Sequence, residues 1–150
     1  MSTCVHPLQN IIMPLALQDT FVLRAGDEMR RQVDGFSIFS HFGCFAGFDY
    51  LGRPWVFHHT KEGTELVLFE RFALKYQVYF KAIKDHERPA AIIRMRELLI
   101  NRKQYSELGF NCEHAKNYVT KGKAYSIQSS VCIMLAVAGA FAFIGSTKMA

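Results

Sequence analysis

The sequence has four cysteines, Cys4, Cys44, Cys112 and Cys132, and no C-x-x-C pair among them. That spacing gives no support to a structural zinc site, and nothing in the pattern calls for a metal or a cofactor. Cys132 lies in an apolar run, a poor place for a disulfide partner, so free thiols in a reducing compartment are expected. The N-terminus lacks a charged-then-apolar signal followed by a small-residue cleavage pattern. Residues 8–17 are modestly apolar, but Asn10 and Pro14 break them. Internal repeats and low-complexity segments are absent. Basic clusters at Arg30-Arg31, at Arg94 with Arg96 and at Arg102-Lys103 have no aromatics interleaved, which argues against a nucleic-acid platform. The net charge of +5 reads as a solvated face, with attraction to an anionic membrane surface as its main competitor.

What the chain does have is apolar mass. Half of its 150 residues are hydrophobic and 13% are aromatic, enough for the core of one domain. Residues 1–19 read as an irregular arm, and 21–25 as a short first strand ending at the turn signal Gly26-Asp27. A β-hairpin accounts for residues 36–60. Its arms are 37–48 and Pro54–Thr60, and its loop is Asp49-Tyr50-Leu51-Gly52-Arg53. Residues 65–72 and 74–80 are expected as a third and a fourth strand. Pro89 opens an amphipathic helix over 89–101, with Ile92, Met95, Leu98 and Leu99 at helical spacing. After a linker at 105–110, Asn111 should cap a helix running from Cys112 to about Lys121, closed by Gly122. The fold class is therefore α+β, an antiparallel sheet of about four to six strands with helices packed at one side. Residues 1–25 form the arm and first strand, 26–128 the main domain and 129–150 an apolar tail.

The tail, 131–145, contains no charged residue. A bilayer span needs about 20 residues, with a threshold near 18, and Ser129, Ser130, Ser146 and Thr147 bring the tail close to that. A helix apolar all round at the end of so small a domain is hard to bury in protein, so a membrane-associating helix is the favoured reading over a core helix.

Cys112 is the residue with a case for chemistry. A thiol attacks as thiolate, and a helix N-terminus with its free N–H groups favours that form. A base must also take the proton, and a third group must orient the base. His114, two residues on, points to a different helix face and is the wrong neighbour. His41 opens His41-Phe42-Gly43-Cys44-Phe45-Ala46-Gly47-Phe48. On a strand, Gly43 and Gly47 share its face and leave room for an approaching group, or merely ease sheet curvature. The orienting group is His58 or His59, depending on hairpin register. Cys44 points away from His41 and is read as structural.

These residues resemble a known family. Asn111-Cys112-Glu113-His114 is similar to the N-C-E-H-F motif of the lecithin retinol acyltransferase-like (H-box/NC) family. The His41 segment resembles its H-W-G/A-I-Y-x-G box, and Trp55-Val56-Phe57-His58 the strand ending in its second His. Gly26-Asp27 matches the dipeptide that opens the domain, and Ile92-Ile93 and Glu97-Leu98 fall where the family has a helix before the cysteine. The likeness covers about residues 26–145. It implies a circularly permuted papain-like fold with Cys112 as nucleophile, His41 as general base and His58 as third member, His59 being the alternative. Backbone N–H groups near Cys112 would stabilise the oxyanion, and the tail would anchor the protein at the cytoplasmic face of membranes. Three departures bear on substrate choice: Ala115 replaces the usual Phe, Ser40 stands where Arg is frequent, and the loop before His58 is longer.

The expected function is thus a membrane-associated thiol acyltransferase or phospholipase A, acting on phospholipid esters through a Cys112 thioester. The expected partners are a phospholipid membrane and its lipid substrate. Two alternatives remain. One is a picornavirus-type H-box/NC interaction protein with an idle site. The other is a thiol peptidase or amidase, which the apolar tail disfavours.

Overall fold

The computed structural model describes residues 22–33 and 36–147, with side chains described for all of these except 36–38 and 143–147. The arm at 1–19, Cys4 and Phe21 lie outside them. Five strands form one antiparallel sheet in the order β4-β3-β2-β1-β5: β1 Glu28–Val33, β2 Phe36–Phe48, β3 Pro54–Thr60, β4 Gly63–Leu68 and β5 Val78–Lys81. The helices are α1 Phe69–Ala73, α2 Arg88–Asn101, α3 Cys112–Lys121 and α4 Ile127–Thr147, with one 3-10 turn at Asp85–Glu87 before α2. The class is α+β, as expected.

The β2–β3 hairpin forms where the sequence places it. Asp49 closes its loop by accepting the N–H groups of Leu51 and Arg53, while its other oxygen takes Trp55 Nε1 and Arg53 Nε. The register then slips by one residue between Phe45 and Gly47. Gly47 absorbs the bulge at φ +127, and a Cβ there would meet nothing within 4 Å, so this glycine serves curvature.

Three strand expectations need correction. Residues 22–25 are not a strand. Asp27 accepts the Arg24 N–H and folds that segment into a turn, and the first strand is β1. The third strand stops at Leu68, because Phe69, Phe72 and Ala73 bury themselves as one turn-and-a-half of helix instead of alternating. The fourth begins only at Val78; Leu74, at φ +53, is the cap of α1.

The helices occupy both faces of the sheet rather than one. On the first face Cys44 and Phe57 pack with Ala91, Met95 and Leu98 of α2 and with Ala115 and Val119 of α3. On the second, Met29, Phe45, Val56 and Val67 pack with Phe69, Phe72 and Ala73 of α1. The Gly26-Asp27 pair is a structural clamp between them. Fully buried Asp27 pairs with Arg88 Nη1 at 2.9 Å and accepts the Ile83 N–H, tying β1, β5 and the start of α2 together.

The tail is helical from Ile127, so the boundary drawn at 128/129 falls within its first turn. That turn holds Gln128, Ser129 and Ser130, and the described side chains end at Ala142. Among the described residues no helix is long and apolar enough to cross a membrane. The described apolar side chains of α4 are nonetheless open, with Leu135 66% and Phe141 71% exposed.

Candidate active site

Hairpin register decides between the two histidines. Gly43 pairs with His58, which puts His58 on the face of His41 and His59 on the other. His41 Nε2 lies 2.8 Å from His58 Nδ1, and His58 Nε2 lies 3.1 Å from a carboxylate oxygen of Glu65. Glu65 stands directly opposite His58 on β4. A carboxylate can only accept, so His58 donates from Nε2 and its Nδ1 carries the lone pair. His41 must then donate from Nε2, leaving the lone pair of His41 Nδ1 free to take a proton. One consistent arrangement of protons therefore runs Glu65, His58, His41 and ends in a base.

Gly43 makes room on this face, as expected of a glycine beside His41, but the room is filled by Phe72 of α1. A Cβ on Gly43 would lie 2.9 Å from the Phe72 ring and 2.8 Å from the Phe57 carbonyl. The Phe72 ring packs on both imidazoles, at 5.5 Å from His41 and 5.8 Å from His58. Arg31, directly across from His41 on β1, lays its guanidinium over Phe72 and Tyr76. Burial is the main reason His41 is held down to about 3; the charge that His58 would carry if protonated and the Arg31 guanidinium act in the same direction. Burial lowers His58 too, against the opposing pull of Glu65. The imidazoles are therefore neutral at rest.

Cys112 comes from the other face. Asn111 caps α3 as expected: its Oδ1 accepts the N–H groups of Glu113 and His114, at 3.0 and 3.2 Å. The first-turn donor that Asn111 does not take is the N–H of Cys112 itself. The thiol reaches the plane of the sheet where β2 parts from β3. Pairing between these strands begins at Gly43 with His58, so Ser40 and Phe42 have no strand partner on that side. Cys112 Sγ occupies the vacancy, 4.0 Å from the Ser40 carbonyl and within reach of the Phe42 N–H. The His pair and the thiol thus come from opposite faces of the sheet, the thiol at the split between β2 and β3. His41 and Cys112 both line one cleft of ≈ 710 Å³, walled also by Tyr105, Leu108 and Cys132.

Burial raises the Cys112 thiol, which is 8% exposed; the N–H groups of Phe42 and Glu113 pull the other way. The resting pair is accordingly thiol and imidazole, not thiolate and imidazolium. Cys44, fully buried, has its thiol driven up by burial and sits in the core. The described cysteines, Cys44, Cys112 and Cys132, are free.

The remaining motif residues have structural work. His59 is fully buried, bonds Thr64 Oγ1 through Nδ1 at 2.9 Å, and stacks on Tyr105 with Phe110 edge-on. It fixes the loop that walls the cleft and does not bond His41. His114 accepts the Asn111 N–H and stacks on Phe110. Glu113 caps the next helix, accepting Ser126 Oγ at 2.7 Å and the Gln128 N–H at 3.0 Å. Among the described residues no three side chains converge as a metal site.

Sequence reasoning missed Glu65, Arg31 and Gln128. Glu65 had a signal: a two-residue turn at Lys61-Glu62 pairs Thr60 with Gly63 and hence His58 with Glu65. Arg31 and Gln128 had none, because their roles depend on strand order and on where α4 docks. No family model matches the chain, and no curated protein matches it.

Proposed function

We propose that the protein is a thiol acyltransferase or phospholipase A that acts on phospholipid esters at a membrane surface. The observation that carries this reading is the ordered proton path from Glu65 through His58 to His41, ending in a cleft that also holds Cys112. As the sulfur of Cys112 attacks the ester carbonyl, its proton passes to His41 Nδ1. The imidazolium so formed is steadied by His58 and Glu65. The Cys112 N–H, which Asn111 does not take, would donate to the oxyanion. His41 then gives its proton to the departing alkoxide, releasing a lysophospholipid and leaving an acyl thioester on Cys112. Water, or an acceptor amine or alcohol, loses its proton to His41 and takes the acyl group, and Cys112 recovers its thiol.

The finer fold reading belongs here as well. In papain-type enzymes the nucleophile helix precedes the His strand, whereas here His41 precedes Cys112. That order is the one a circularly permuted papain-like chain would have. The exposed apolar side chains of α4 would bring the cleft to the bilayer.

The test is mass spectrometry of the protein after mixing with phospholipid vesicles. The wild type should show an acyl adduct on Cys112 sensitive to hydroxylamine, and Cys112→Ala should lose both the adduct and turnover. Turnover undiminished in that variant would remove Cys112 from the mechanism. No adduct, together with Cys112 labelling by a thiol-reactive lipid probe no faster than Cys44 and Cys132, would leave the idle interaction protein as the better account. Cleavage of peptides but not lipids would favour the peptidase.

A further inference from the structure

The root of α4 is fastened to the site at three points. Ser129 Oγ bonds Asn111 Nδ2 at 2.8 Å, the Glu113 carboxylate holds Ser126 and the Gln128 N–H, and Gln128 reaches across to β2. The third contact is unlike the others. The Gln128 amide grips the main chain of Ser40 from both ends: its Oε1 accepts the Ser40 N–H at 2.8 Å, and its Nε2 donates to the Ser40 carbonyl at 3.2 Å. A primary amide held this way imitates the strand partner that β3 does not provide. The carbonyl it holds is the one that faces Cys112 Sγ, and the residue after it is His41.

We infer that Gln128 is a positioning residue: through the Ser40 main chain it sets the cradle of Cys112 and the base of the His41 side chain, and so links the seating of α4 to the reactivity of the thiol. This rests on the proposed function, in which Cys112 is the nucleophile, and adds the element that controls it. The physical reason is that β1 fixes the register of Ser40 and Phe42 on one side, while on the other side their outward peptide groups meet no strand. Without the Gln128 amide the Ser40 peptide is free to tilt, and with it the Ser40 carbonyl and the Phe42 N–H that supports the developing thiolate. The titratable groups lining the same cleft include His41, His59, Tyr105 and Glu107; the Gln128 side chain bonds the Ser40 main chain and none of these, so a change there reaches the site through that peptide.

Alkylation of Cys112 by iodoacetamide in the full chain tests this without turnover. Gln128→Ala should slow alkylation of Cys112 about tenfold and move its pH midpoint upward, while the melting temperature stays within a few degrees of wild type. Acyl transfer should fall by a similar factor in kcat with KM little changed. Ser130→Ala, which disturbs the α4 root at its bond to the Ser126 carbonyl, should leave Cys112 alkylation within about twofold. Unchanged alkylation and midpoint in Gln128→Ala overturn the inference, as does an equal loss in Ser130→Ala. If neither protein transfers acyl groups yet alkylation responds as stated, the positioning role stands and the enzymatic reading fails.

Discussion

Gly43 is the position where the packing of the histidine pair is most exposed to test. The substitution is Gly43→Ala, one added methyl group. Its Cβ would stand 2.8 Å from the Phe57 carbonyl, 2.9 Å from Phe72 Cε2 and 3.0 Å from Val56 Cγ1. The Phe72 ring can turn, but the Phe57 oxygen is backbone in the neighbouring strand and can move only if β3 moves. Overpacking of a full core costs about 1–3 kcal/mol, and a contact with backbone belongs in the middle of that range or above, about 2 kcal/mol. For a chain of this length that lowers the melting temperature by roughly 4–8 °C. Function should suffer more than stability. Phe72 supports both imidazoles, and a shift of β3 stretches the 2.8 Å contact between His41 and His58. Urea unfolding followed by circular dichroism, alongside kcat in the vesicle assay, reads both effects. Gly139→Ala is the control, since a Cβ there meets nothing within 4 Å. A Gly43→Ala protein as stable as wild type would refute the packing argument.

Two further outcomes follow from the electrostatics. His41, His58 and His59 all have folded pKa values pushed below the ordinary 6.5, by burial first. Between the folded value and 6.5 the unfolded chain binds more protons than the folded one, so stability is complete above about pH 6.5 and is lost as pH falls. Each such imidazole adds at most about 1.4 kcal/mol per pH unit, and the urea midpoint should drop between pH 7 and pH 5; a flat midpoint would mean the imidazoles are not buried neutral. Glu65→Gln removes the carboxylate that draws His58 upward, so His58 should titrate lower still by NMR and kcat should fall on the order of tenfold. A Glu65→Gln protein with wild-type kcat and an unmoved His58 would detach Glu65 from the relay.

Legibility in the sequence followed locality. The hairpin arms, α2 and α3 with its Asn111 cap were readable because turn residues, helical spacing and caps are encoded within a few positions. β1 was not, since its segment Glu28-Met29-Arg30-Arg31-Gln32-Val33 has a single fully buried apolar residue, Met29, and holds its place through β2 and β5 on either side. The break at Leu68 was hidden as well. Phe69 and Phe72 have strand-like composition, and only their shared burial against the second face makes them helical. At the site, the three residue types were visible. The shared cleft of His41 and Cys112, reached by the thiol at a split between β2 and β3, was not, because it depends on where the ladder stops.

That early stop has an evolutionary corollary. The contacts offered to the sulfur and to the Gln128 amide by residues 40 and 42 come from peptide groups, which every amino acid except proline carries in full. Side chains at those two places can drift without dismantling the pocket. Exchange of the serine side chain at position 40 is therefore tolerated, and proline at Phe42 is the replacement this backbone would refuse.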